Sequence, residues 1–228
     1  MFFFDPMYFV FAGPALLLAF YASYKVKSTY AKYAEVASYA GRPGIDVARR
    51  LLDSQGLYHV QIERVPGDLS DHYDPSSKVL RLSDSNYDNY SVAAVGVVAH
   101  EVGHAVQDAQ NYAPLRWRAG LVPVVNIGST LGYILFFVGL FIIPQLAWLG
   151  VAFFSTAAIF ALVTLPVEFN ASNRALQLLS NNGLVTSEER GQAKAVLNAA
   201  ALTYVAALAQ ALSTLLYFLF ILMGRSDE

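Results

Sequence analysis

Residues Ala119 to Val167, AGLVPVVNIGSTLGYILFFVGLFIIPQLAWLGVAFFSTAAIFALVTLPV, form a run of 49 residues without one Asp, Glu, Lys or Arg. A helix that crosses the hydrocarbon of a bilayer needs about 20 apolar residues. The run is therefore long enough for two crossings, and Pro144-Gln145 divides it into spans of about 121–143 and 146–167. Outward from it, Pro6–Tyr24 and Ala195–Gly224 are also uncharged and supply spans of about 6–24 and 200–223. Hydrophobic residues make up 56% of the 228-residue chain and charged ones 14%, against about 25% charged in an ordinary soluble domain. The alternative, a very apolar soluble helical bundle, does not account for three uncharged runs of this length. The expected fold class is a mainly α integral membrane protein with four transmembrane helices.

Asp5 precedes the first span, while Lys25, Lys27 and Lys32 follow it. That is the reverse of a cleavable signal peptide, so the span reads as a retained anchor. With four spans, residues 25–118 and 168–199 share one side and hold fourteen of the fifteen Lys and Arg. The positive-inside rule then puts both segments in the cytoplasm and both termini outside, with Lys25, Lys27, Lys32, Arg116, Arg118 and Arg174 near span ends carrying the argument. The net charge of −2 and the lack of a basic, aromatic-studded stripe exclude a nucleic-acid footprint. The chain has no cysteine, so any metal must be held by His and carboxylate.

Upstream of the long hairpin lies Ala99-His100-Glu101-Val102-Gly103-His104-Ala105, the pattern H-E-x-x-H inside a proline-free apolar run. On a helix expected from about 92 to 110, capped by Ser91, residues four apart share a face. His100 and His104 thus offer two imidazoles to one Zn²⁺, and Glu101 is placed as general base toward water at that ion. Asp108, four residues after His104, is a candidate to orient an imidazole. Before this helix the apolar period becomes two. Tyr58–Val65 and Lys78–Leu82 alternate, with Asp71-His72-Tyr73-Asp74-Pro75 between them, which predicts a small sheet of two or three strands. These strands either offer an edge to an extended substrate or only cover the helix. His72 and Tyr73 are candidates to meet a substrate oxyanion if their loop folds over the metal.

Two known extensions of the motif are absent. Gln107 and Gln110 stand where a metzincin has Gly and His, and there is no Asp-Gly dipeptide of the intramembrane site-2 type. The remaining pattern is two His plus a downstream Glu. Glu168, in Leu165-Pro166-Val167-Glu168-Phe169-Asn170-Ala171-Ser172, is the first charge after the uncharged run. Two crossings separate it from His104, so both return to the same face, and Pro166 is expected to kink the helix and turn Glu168 toward the motif. The competing reading pairs Glu168 with Arg174 or with headgroups. Glu188 and Glu189 fit a capping box with Thr186 and need no metal.

Several stretches resemble the YugP-type bacterial membrane zinc metallopeptidases, a neutral zinc metallopeptidase family. They are Lys25-Val26-Lys27-Ser28-Thr29-Tyr30, Asp71–Pro75, Ala93-Ala94-Val95-Gly96 leading into the motif, Leu165–Ser172, and Ala200-Ala201-Leu202-Thr203-Tyr204-Val205-Ala206. More distantly, Glu168-Phe169-Asn170-Ala171 is similar to the E-x-x-A segment of the heat-shock and prenyl-peptide membrane metalloproteases. That wider family carries Asp where this chain has Ser172, so the imidazole partner it supplies falls here to Ser172 or Asn173. The resemblance implies a membrane zinc endopeptidase of the bacterial inner membrane with one Zn²⁺ per chain. It implies a single domain over residues 1–228 whose cytoplasmic part, 25–118 and 168–199, is gluzincin-like with a short sheet before the motif helix. The partners expected are the lipid bilayer and a protein or peptide substrate, with a membrane-protein partner or a second copy of the chain as further candidates. The rival reading is a membrane adaptor or chaperone-like protein with a structural zinc.

Overall fold

The computed structural model describes residues 6–225. Asp5 and the tip before it, expected outside the membrane, lie outside the described residues, as do residues 226–228. In chain order the elements are α1 (Pro6–Ala34), α2 (Gly44–Ser54), β1 (Gln61–Val65), β2 (His72–Asp74), β3 (Val79–Ser83), α3 (Asp84–Tyr87), α4 (Val92–Ala109), α5 (Ala113–Phe141), α6 (Pro144–Asn181) and α7 (Ser187–Arg225). Four of them, α1, α5, α6 and α7, are long and apolar enough to cross a membrane, as the uncharged runs predict.

The chain divides into two compact units. One comprises residues up to Ser23, Arg116–Pro166 and from Leu202 onward. Its core is Phe136, Leu140, Ala147, Val151, Phe154, Tyr217, Phe218 and Leu222. The rings of Phe136 and Phe218 stack at 3.9 Å. The α5–α6 hairpin closes tightly because Gly139 has no side chain: a Cβ there would lie 2.0 Å from the Ala147 nitrogen. Small residues at helix crossings are the usual means of packing spans in lipid, where apolar burial does not drive association. Outward, Phe9, Leu17, Phe20, Ile127, Phe141, Ile142, Leu162 and Met223 stay exposed, a surface suited to hydrocarbon rather than to water.

The other unit comprises Tyr24–Leu115 and Val167–Ala201. Its sheet has the order β1-β3-β2, with β1 parallel and β2 antiparallel to β3. The alternation of Tyr58–Val65 predicts a longer first strand than the five residues formed. Arg49 gathers the carbonyls of Leu57 and Val60 instead, holding residues 57–60 in a turn. The central strand buries Val79, Leu80, Leu82 and Ser83, and only Arg81 reaches outward, to Glu63 and Asp74. Leu80 and Leu82 join Val47, Leu51 and Leu52 of α2 and Val95, Val98, Val102 and Val106 of α4 in one core. Replacing Leu80, which is fully buried, by Ala should cost about 2–5 kcal/mol. Thermal unfolding in detergent reads this directly, and a change below about 1 kcal/mol would place the residue outside the core.

Local signals account for three of the helix ends. Ser91 caps α4, its hydroxyl accepting from the Ala94 N–H at 3.2 Å. Thr186 and Glu189 form the expected capping box at the start of α7, with the Thr186 N–H given to the Glu189 carboxylate at 2.8 Å and the Glu189 N–H to Thr186 Oγ1 at 3.2 Å. The second oxygen of Glu189 accepts the Tyr39 N–H, which ties the end of the α1 extension to α7. After α6, Gly183 takes a left-handed φ of 62° and Leu184 N–H returns to Leu179 O at 3.0 Å, a Schellman closure. Pro166 lies inside α6, which continues as one helix to Asn181.

Candidate metal centre

Helix α4 presents His100 and His104 from adjacent turns, their rings 4.8 Å apart and nearly perpendicular. Helix α6 brings Glu168 to them. Its Oε2 lies 3.2 Å from His100 Nε2 and 3.5 Å from His104 Nε2, and the carboxylate side chain is only 3% exposed. One ligand atom from each of the three residues falls within a common 4.8 Å. A tetrahedral Zn²⁺ with bonds of about 2.0–2.1 Å keeps its ligands about 3.3–3.4 Å apart. The two His-to-Glu distances match that spacing, and a donor set of two imidazoles and one carboxylate suits zinc. Arg174, the competing partner for Glu168, donates instead to Asn170 Oδ1 at 2.6 Å and Gln110 Oε1 at 2.7 Å.

The close approach of α4 and α6 depends on the fourth residue of the motif. A Cβ on Gly103 would lie 2.6 Å from the Ala171 carbonyl oxygen. Glycine at that position lets the two backbones approach, and Glu168 is one turn away from the contact. Neither spacing nor composition singles this glycine out.

Glu101 is buried, and its Oε2 accepts the backbone N–H of Tyr73 at 3.1 Å. Burial pushes its pKa from the usual carboxylate range up to about 7, and the charge of Glu168 adds to the rise while His100 opposes it. A carboxylate poised near neutrality can both take and return a proton. The donor belongs to β2. In the antiparallel pairing Tyr73 stands opposite Leu80, and its backbone N–H faces away from β3 toward the motif helix.

The remaining candidates are placed as follows. Ser172 Oγ lies 3.2 Å from His100 Nδ1, at the back of the first imidazole. His104 Nδ1 has Gln107 Oε1 at 3.0 Å. Asp108, expected behind an imidazole, holds Tyr73 OH at 2.7 Å and Lys78 Nζ at 2.6 Å instead. The helical period gives Asp108 the right face, but β2 and the Lys78 turn reach it there. Asn173 is exposed and lines a polar cleft of about 450 Å³ with Asn170, Arg174, Gln177 and Arg190. The His72 ring is also exposed, with Nδ1 2.9 Å from Ser70 O and Nε2 3.5 Å from Arg81. Burial and the Asp108 carboxylate hold the Tyr73 phenol well above its usual range, so it stays a hydrogen-bond donor. Sequence reasoning passed over Gln107 and Asn170. The available signal was Gln107 three residues after His104, on the same helical face.

Apolar membrane-length helices, and two imidazoles of α4 that meet a carboxylate of α6, are the features of a membrane zinc metallopeptidase. The comparisons with known proteins agree. Residues 8–223 match the family described as "Putative neutral zinc metallopeptidase", and the chain belongs to that family. It is similar to the "Putative membrane protease YugP" of Bacillus subtilis (strain 168), with 46% identity over 224 residues covering 97% of this chain and 100% of that protein. No solved structure matches the chain.

Proposed function

We propose that the protein is a membrane-embedded zinc endopeptidase whose His100, His104 and Glu168 hold one Zn²⁺ and whose Glu101 is the general base. The observation that carries this reading is the convergence of Glu168 on both Nε2 atoms at ligand-to-ligand spacing. Zinc bound there supplies a Lewis acid that polarises the peptide carbonyl and makes a water acidic at neutral pH. Glu101 takes the proton of the attacking water and delivers it to the leaving amine. Its burial and the Tyr73 N–H hold the carboxylate in one orientation beside the ligands. An extended substrate that adds along the outer edge of β2 would carry its scissile carbonyl toward the position where His100, His104 and Glu168 would hold the zinc. The catalytic unit, 25–118 and 168–199, faces the cytoplasm of the bacterial cell, both termini lie outside, and the whole chain acts as a single peptidase domain.

The adaptor reading requires a structural zinc, which takes four protein ligands. Among the described residues the cluster has three, the number that leaves a position for chemistry. The test is the purified full-length protein in detergent, assayed for zinc content and for cleavage of casein and of membrane-protein substrates, with a chelator control. Hydrolysis should vanish with chelation and return with zinc. Replacing Glu168 by Gln, which is nearly isosteric, should lower zinc affinity by 10-fold or more, roughly the cost of disturbing a metal site. Unchanged zinc stoichiometry and affinity in that variant would move the third ligand elsewhere.

A further inference from the structure

The two imidazoles are not held alike. His100 has a hydroxyl behind it, Ser172 Oγ, and a hydroxyl can donate or accept. It therefore leaves the position of the His100 proton open. Behind His104 is an amide whose orientation is dictated from further away.

Arg174 Nε is 2.6 Å from one end of the Asn170 amide, and a guanidinium only donates, so that end is oxygen. Arg174 is kept in place by Gln110 Oε1 at 2.7 Å, and its guanidinium lies over the Tyr112 ring at 5.9 Å. The same Asn170 oxygen lies 2.9 Å from one end of the Gln107 amide, and that end also lies 2.8 Å from the Val167 carbonyl oxygen. Both neighbours are acceptors, so this end of Gln107 is the NH₂, with its two hydrogens used. The other end of Gln107 is then oxygen, an acceptor, and it lies 3.0 Å from His104 Nδ1. Nδ1 must carry the hydrogen. An imidazole that ligates a metal is neutral and has one N–H, so as a ligand His104 has its lone pair on Nε2, the atom that faces Glu168 at 3.5 Å.

We propose that Arg174, Asn170 and Gln107 form a hydrogen-bond relay that locks His104 in the Nδ1–H tautomer, with its Nε2 lone pair on the metal position. The inference rests on the reading of His104 as a zinc ligand. An imidazole without such a lock spends part of its time with the hydrogen on Nε2, where it cannot ligate. Gln107 is fully buried and couples α4 to the residue just before Glu168 through the Val167 carbonyl, so the relay also links the second ligand to the third. The three are positioning residues, since each acts through another group. Two independent anchors, a backbone carbonyl and a guanidinium, agree on the direction of every bond.

The direction makes an unusual pair of expectations. Asn170→Asp keeps an acceptor oxygen between Arg174 and Gln107, whereas Asn170→Leu and Gln107→Leu remove the relay. Zinc affinity, measured on the full-length protein by competition with a chromophoric chelator, should stay within about threefold in Asn170→Asp and fall about 10–100-fold in both leucine variants. The absorption spectrum of the Co²⁺-substituted protein should be that of the wild type in Asn170→Asp and altered in the other two, a change that loose packing alone would not reproduce in this pattern. Should a leucine variant fail to fold, the remaining one and Asn170→Asp decide. Loss of affinity in Asn170→Asp equal to that in Asn170→Leu overturns the bond direction. Wild-type affinity in both leucine variants overturns the relay. A His104→Ala control separates the two readings: if it binds zinc as the wild type does, the ligand assignment fails, and the relay with it.

Discussion

Replacing Glu101 by Gln should leave zinc bound and reduce peptide hydrolysis by about 10²–10⁴-fold, the usual contribution of a positioned general base. The amide has nearly the same shape, and its oxygen can still accept the Tyr73 N–H that now meets Glu101 Oε2 at 3.1 Å. Glu101 is not among the three clustered ligands, so the metal stoichiometry should not move. The same substitution should raise the thermal stability of the metal-free protein. Burial pushes the Glu101 pKa up to about 7, which means that the charged form is disfavoured in the fold. Each unit of such a shift corresponds to about 1.4 kcal/mol, so an uncharged glutamine should gain about 1–3 kcal/mol at neutral pH. A catalytic group that costs stability is the expected compromise. Zinc analysis, a peptidase assay and a melting curve on one preparation read all three outcomes. Undiminished hydrolysis would remove Glu101 from the mechanism.

The second large effect is expected at Gly103. In an ordinary helix interior, glycine to alanine gains about 1 kcal/mol through propensity. Here the added Cβ would lie 2.6 Å from the Ala171 oxygen and 3.2 Å from its carbonyl carbon, both backbone atoms that cannot swing aside. Helices α4 and α6 must separate by roughly half an ångström or more, and overpacking of this kind typically costs about 1–3 kcal/mol. Glu168 stands one turn from the contact, so the separation also opens the 3.2 Å and 3.5 Å distances to the two imidazoles. Gly103→Ala should therefore lose both stability and zinc affinity, the latter by about 10-fold or more, and Gly103→Val should lose more of each. An alanine variant that melts higher than wild type and binds zinc normally would show that the helices do not need this approach.

Both expectations attach to residues of α4, and the sequence marks them very differently. His100, Glu101 and His104 stand out in the sequence because helical geometry alone puts positions four apart on one face, with no other element required. The four apolar helices are equally plain, since the length of an uncharged run speaks for itself in a bilayer. Glu168 could be picked out because a lone carboxylate at the end of 49 uncharged residues is conspicuous. Asp108 shows where such reasoning stops. Periodicity assigned it the correct face, but a face does not name the neighbour, and the neighbours are Tyr73 and Lys78.

What the sequence alone determined is thus local or one-dimensional: span lengths, the capping box, the H-E-x-x-H face and the zinc-compatible residue types. Only the tertiary structure decided the sheet order β1-β3-β2, the edge that β2 turns to Glu101, the Gly103–Ala171 approach and the relay from Arg174 to His104. The physical reason is that a hydrogen bond or a van der Waals contact has a tolerance of a few tenths of an ångström. Gln107 and Asn170 are 63 residues apart in the chain. No pattern along the sequence fixes a distance across that gap to such a tolerance; the packing of α4 on α6 does.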